Sequence, residues 1–112
     1  MLLATANMPN ELLFQARTAL GFSLRMQLPR WRLIVNQKHP AMNGRERDVE
    51  EALRIPEEIR PSRSDKDVYL FYRREHPNRW VCVVVKRLDG DGFVITAYPT
   101  DTIEEGERIW AR

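Results

Sequence analysis

The sequence predicts an α+β domain in which N-terminal short strands and two helices pack on a C-terminal antiparallel β-meander. Three observations predict it. From Val68 to Tyr98 the chain reads as three β-rich runs separated by two turn signals, Glu75-His76-Pro77-Asn78 and Asp89-Gly90-Asp91-Gly92. Between Pro29 and Pro56 apolar residues recur at helical spacing and prolines mark the limits. Finally, 112 residues of which 43% are hydrophobic suffice for one core and are too few for two, so residues 1–112 form one domain.

Met1 to Asn10 shows no sustained period and reads as a loosely ordered start. Leu12 to Thr18 and Phe22 to Gln27 follow as short strands. In the second, Phe22, Leu24 and Met26 alternate with Ser23, Arg25 and Gln27. Pro29 suits the first turn of a helix whose stripe is Trp31, Ile34 and Val35, and Pro40 ends it, leaving His39 just past the helix. Asn43 and Glu46 have capping-box spacing for a second helix with Val49, Ala52 and Leu53 inward, stopped by Pro56. Ile59 to Asp67 reads as a polar connection. The meander comprises Val68–Arg73, Trp80–Arg87 and Phe93–Tyr98, and core packing is the default for Trp31, Trp80 and Trp110.

The formal charge of +2 is unevenly spread. Through Pro40, five basic residues (Arg17, Arg25, Arg30, Arg32, Lys38) stand against Glu11, so 5 − 1 = +4. Such a segment suits a polyanion or an acidic protein, and equally suits ordinary solvated strand and helix ends. Val81 to Val85, the longest apolar run, is far short of the roughly 20 residues that span a bilayer, and no basic-then-apolar leader opens the chain. Cys82 stands alone within a Val-rich strand and reads as a buried apolar residue. No membrane association and a reducing cytoplasm are therefore expected.

Thr96 and Tyr98, two apart on a strand, should project from the same face. With His39 they supply what cleavage of an RNA backbone requires. A base takes the 2′-hydroxyl proton, an acid protonates the departing 5′-oxygen, and cationic donors offset charge on the phosphate, leaving a 2′,3′-cyclic phosphate. His39 is the natural proton carrier because imidazole titrates near neutral pH. Arg60, Arg63 or Lys86 are candidate phosphate binders, Ser62, Thr96 and Tyr98 candidate hydrogen-bond donors, and Tyr98 a stacking platform for an unpaired base. Each also has a structural use: His39 as a helix terminus, the Arg60 to Asp65 residues as turn chemistry, Thr96 and Tyr98 as sheet formers. One cysteine and two histidines without clustered acids argue against a metal site, and the Asp89–Gly92 tract lacks the lysine and helix of a phosphate loop. No metal and no cofactor are expected.

The order of Lys38-His39-Pro40, the helix Arg47 to Arg54, Ile55-Pro56-Glu57-Glu58-Ile59-Arg60-Pro61-Ser62, Val68-Tyr69-Leu70-Phe71-Tyr72, Val83-Val84-Val85-Lys86 and Ile95-Thr96-Ala97-Tyr98 resembles small bacterial and phage-associated domains of the barnase-EndoU-colicin-RelE-like (BECR-fold) nuclease superfamily. The resemblance runs from about Phe22 to Trp110. It implies a RelE-like fold, metal-independent endoribonuclease activity, and use as the toxin of a toxin–antitoxin pair, with RNA as substrate and an acidic antitoxin as partner. Carried over by position, it implies His39 as the catalytic histidine, Arg60 and Ser62 on the phosphate side, Thr96 and Tyr98 as the final-strand pair, and Lys86 as an added cation. The competing expectation is a non-catalytic module that binds protein or nucleic acid through its basic front half.

Overall fold

The runs that alternate in the sequence become the centre of a single mixed sheet. A computed structural model describes residues 11–103 and 106–111, so the expectation for Met1 to Asn10 lies outside the described residues. The elements are β1 (Leu12–Arg17), β2 (Ser23–Gln27), α1 (Leu28–Leu33), α2 (Glu46–Arg54), β3 (Glu58–Pro61), β4 (Val68–His76), β5 (Arg79–Leu88), β6 (Asp91–Thr100) and β7 (Trp110–Ala111). Across the sheet the strands run β1-β2-β6-β5-β4-β3-β7. All neighbours are antiparallel except β2 and β6, which are parallel and pair only at Arg25 and Phe93.

Both meander turns form where the sequence puts them. Gly90 supplies the left-handed residue of the β5–β6 turn at φ 77°. Gly92 answers to space instead: a Cβ there would lie 2.7 Å from the Lys86 carbonyl oxygen and 3.1 Å from the Phe22 ring. Pro29 lies in the first turn of α1, as expected. Beyond Leu33 the helix widens to π geometry over Ile34–Lys38, and the His39 N–H donates to the Ile34 carbonyl at 2.7 Å. That wide turn puts both Ile34 and Val35 in the core.

One helix start differs from expectation. Pro40–Met42 forms a 3-10 turn, and Gly44 at φ 80° redirects the chain, so Asn43 ends that turn and does not cap α2. Arg45 occupies the cap position without a side-chain cap, and its guanidinium bonds to Asp48 in the first turn and to Glu75 on β4. Two strands were not expected, one of them where a polar connection was. Glu58–Pro61 pairs with β4 from Glu58–Tyr72 to Pro61–Tyr69, and Trp110–Ala111 pairs with β3 beyond it.

The helices cover one face of the sheet. Leu24, Met26, Trp31, Ile34, Met42, Val49, Ala52 and Leu53 close against Ile59, Phe71, Val81, Val83, Val85, Val94 and Ala97. The opposite face carries a smaller cluster, Leu70, Tyr72 and Cys82, flanked by Trp80, Val84, Tyr98 and Ile103. Trp31 is thus a core residue, while Trp80 and Trp110 are half-buried. Between β6 and β7 the described residues lie on the helix-free face, with Ile103 on this second cluster and the Gly106 carbonyl bonded by Arg60, so the chain recrosses the sheet there. Among the described residues no helix is long and apolar enough to cross a membrane.

Gly106 anchors the recrossing at φ 66°, and a Cβ there would run into the Pro61 carbonyl. Gly44 also has positive φ but nothing within 4 Å of its would-be Cβ. Gly44→Ala should therefore cost only the left-handed strain, about 1 kcal/mol, and Gly106→Ala on the order of 3 kcal/mol. Urea midpoints of the two variants check the difference.

Candidate functional site

The site is best built from the registry of β6 on β5. Val85 pairs with Val94 and Val84 with Thr96, so two residues on β5 oppose three on β6. The extra residue is Ile95, a β-bulge. It inverts the alternation, so that Ala97 enters the helix-covered core while Thr96, opposite Val84, and Tyr98, opposite Cys82, emerge on the helix-free face. The expectation that Thr96 and Tyr98 share a face holds.

Because β2 pairs with β6 only near Phe93, the second half of β6 takes its outer neighbour from the segment after α1. Lys38 Nζ donates to the bulge carbonyl, Ile95 O, at 3.4 Å. His39 then packs beside Tyr98, with ring centroids 5.2 Å apart and planes inclined by 40°. The imidazole and the phenol, 59 positions apart in sequence, thus meet at this edge, His39 being half-buried. Burial, and secondarily the adjacent Lys38 charge, hold the His39 pKa below its ordinary 6.5. The ring is mostly neutral at neutral pH and able to accept a proton.

Thr96 supplies no such group. Its Oγ1 is sealed from solvent and makes no hydrogen bond. Of the expected final-strand pair, only Tyr98 meets the histidine.

The expected phosphate binders fall elsewhere. Arg60 is a strand residue on β3, separated from β6 by β4 and β5, about 14 Å at roughly 4.8 Å per strand. Its guanidinium bonds to Glu58 at 3.0 and 3.1 Å and to the Gly106 carbonyl at 3.1 Å, so it fastens the recrossing segment to a nearly buried carboxylate. Ser62 pairs with Ser64 at 3.1 Å in the loop after β3, and Arg63 is exposed in that loop. Lys86 does reach the helix-free face, yet it lies four residues along β5 from the partner of Tyr98, roughly 13 Å away. There Asp65 holds it at 2.7 Å, raising the lysine pKa and lowering that of the carboxyl.

The register places other cations on this face. Arg30 sits over the Phe93 ring and Arg74 over the Trp80 ring, each at 5.6 Å, while Arg25 pairs with Asp91 at 2.8 Å. Phe93, Tyr98 and Trp80 therefore form a line of rings along β6 and its neighbour, each beside a basic or titratable side chain. Sequence reasoning counted Arg25, Arg30 and Lys38 as charge without assigning them a site. The exposed aromatic directly after the Asp-Gly turn was the available signal. Among the described residues no group of three or more His, Cys, Asp or Glu is placed to hold a metal ion.

Comparison of the chain with protein-family models, curated proteins and solved structures yields no match. The likeness to the nuclease superfamily thus rests on the order of motifs alone.

Two outcomes follow. Folding suppresses His39 protonation, so below about pH 6.5 the unfolded chain binds more protons and stability falls with acidification. His39→Gln should lessen the loss of urea midpoint between about pH 8 and about pH 5, and NMR should show the wild-type His39 ring titrating below 6.5. Thr96→Val removes an orphaned buried hydroxyl and should leave stability unchanged or raise it by about 1 kcal/mol. Calorimetry of the variant tests that.

Proposed function

We propose that this chain binds single-stranded RNA along the helix-free side of β6 and cleaves it with His39 as proton acceptor. The contact between His39 and Tyr98 carries the reading. It puts a histidine with a depressed pKa beside a phenol-bearing ring, at an edge that also holds Lys38. Neutral imidazole takes the proton from a ribose 2′-hydroxyl, and the oxygen attacks the adjacent phosphorus. The bond to the 5′-oxygen breaks, leaving a 2′,3′-cyclic phosphate. The departing oxygen takes a proton from the Tyr98 phenol or from water. Lys38 offsets the charge gathering on the phosphoryl oxygens, the role first assigned to Arg60. The Phe93, Tyr98 and Trp80 rings suit unpaired bases, which stack on aromatic faces with little regard to sequence.

A second reading is supported by the buried Thr96 hydroxyl and the engaged Arg60, which leave fewer polar groups around His39. In it the same cationic face binds RNA or an acidic protein without chemistry.

Cleavage of an unstructured RNA, followed by gel and by assay of cyclic-phosphate ends, separates the two. His39→Ala should lower the rate by about 10²- to 10⁴-fold with the fold retained, the usual worth of one proton-transfer group. Thr96→Val should cleave like wild type. RNA that stays intact at high protein concentration while remaining bound supports the second reading.

A further inference from the structure

We propose that the groove between β2 and the start of β6 is a stacking subsite for one unpaired base of a single-stranded RNA. The choice of RNA rests on the reading above; the groove itself rests on different residues. β2 and β6 touch at one pair, Arg25 and Phe93, after which β2 passes into α1 and the strands part. Beside this pair lies a groove of about 290 Å³ lined by Arg25, Gln27, Arg30, Leu88, Asp91 and Phe93.

Its floor is unusual for this surface. Phe93 is 36% and Leu88 48% exposed, two of five large apolar side chains left open among the described residues. Such adjacent exposure costs hydration free energy unless a ligand covers it. The charges favour an aromatic ligand over an aliphatic one. Asp91 already neutralises Arg25, whereas among the described residues Arg30 lies over the Phe93 ring, at 5.6 Å, and forms no ion pair. A base between them needs two stacking distances, about 7 Å in all, so the half-exposed Arg30 must swing outward to admit one. A flat base fits between a guanidinium plane and a ring, both of which stack on nucleobases, and Gln27 at the wall offers both a donor and an acceptor to its edge.

The position suits an extended strand. Phe93 and Tyr98 project from the same face of β6, five residues apart and roughly 15 Å along the strand. One RNA chain lying along β6 can place a base in the groove and another nucleotide at His39.

Binding can be read apart from cleavage with a 2′-O-methyl single-stranded RNA, whose blocked 2′-oxygen cannot attack. Polyphosphate serves as a polyanion without bases. Phe93→Ala should weaken the RNA about tenfold, leave polyphosphate binding unchanged and keep the wild-type melting midpoint, while Phe93→Trp should restore affinity. Arg30→Ala should weaken both ligands and lower the salt slope for RNA by about 1. Equal RNA affinity of wild type and Phe93→Ala overturns the subsite, as does parallel loss of RNA and polyphosphate or a wild-type protein that binds no RNA. Tight, Phe93-dependent binding of an RNA whose unmodified form stays intact overturns the nuclease reading and leaves the subsite standing. His39-dependent cleavage with unaltered Phe93→Ala binding does the reverse.

Discussion

The bulge at Ile95 is the constraint on which the arrangement of this molecule depends. In regular pairing from Val94 onward, Thr96 would fall opposite Val83 and Tyr98 opposite Val81, both in the helix-covered core. A tyrosine would then have to occupy part of the space under α1 and α2, and its hydroxyl would need a partner in an apolar layer. The extra residue moves Ala97 into that layer and turns Tyr98 outward. It also takes the Ile95 carbonyl out of the regular ladder, and Lys38 from the π turn reaches it. One inserted residue therefore fixes both partners of the His39–Tyr98 contact.

The two sides of the helix-free face have different fates because the chain must return to β7. On the way from β6 to the far edge, Ile103 covers the Leu70, Tyr72 and Cys82 cluster. The ends of this crossing are tied locally: the Thr100 hydroxyl donates to the Thr102 carbonyl at 3.1 Å, and Arg60 joins Glu58 to Gly106. A nearly buried carboxylate such as Glu58 needs a bonded cation, and Arg60 supplies it with forked geometry. The β3 side is thus committed to holding the tail. The β2–β6 side keeps the groove and the cation–ring pairs.

Much of this was legible in the sequence where local chemistry decides. The meander follows from β-rich runs and an Asp-Gly turn, α1 from Pro29 and its apolar stripe, the position of His39 from Pro40. β3 was not legible, because in Glu58-Ile59-Arg60-Pro61 only Ile59 enters the core and the polar residues on either side read as a loop. Reading the stretch as a polar connection left Arg60 available to a phosphate, whereas on the strand face it is held by Glu58 and Gly106. The bulge was invisible too. Thr96 and Tyr98 kept their common side because the irregularity precedes both, while the fate of the Thr96 oxygen depended on packing that no local pattern records. Asn43 failed as a cap for a related reason: Pro40 and Gly44 impose a turn of their own before α2 can start.

The groove and the His39 edge share one cause. A β2 strand long enough to pair along all of β6 would occupy the edge where Lys38 and His39 now lie, and would leave no helix there to carry Arg30 over Phe93. β2 stops at Gln27 because Leu28-Pro29 begins α1, and a proline so placed favours a helical start while offering no N–H to extend a ladder. The helix then runs beside the part of β6 that β2 leaves unpaired. Its polar flank and terminus bring Arg30, Lys38 and His39 to the helix-free side, while Trp31, Ile34 and Val35 face the core. Three of the five basic residues before Pro40, Arg25, Arg30 and Lys38, thereby lie along one strand edge, where an extended polyanion would gain most from them.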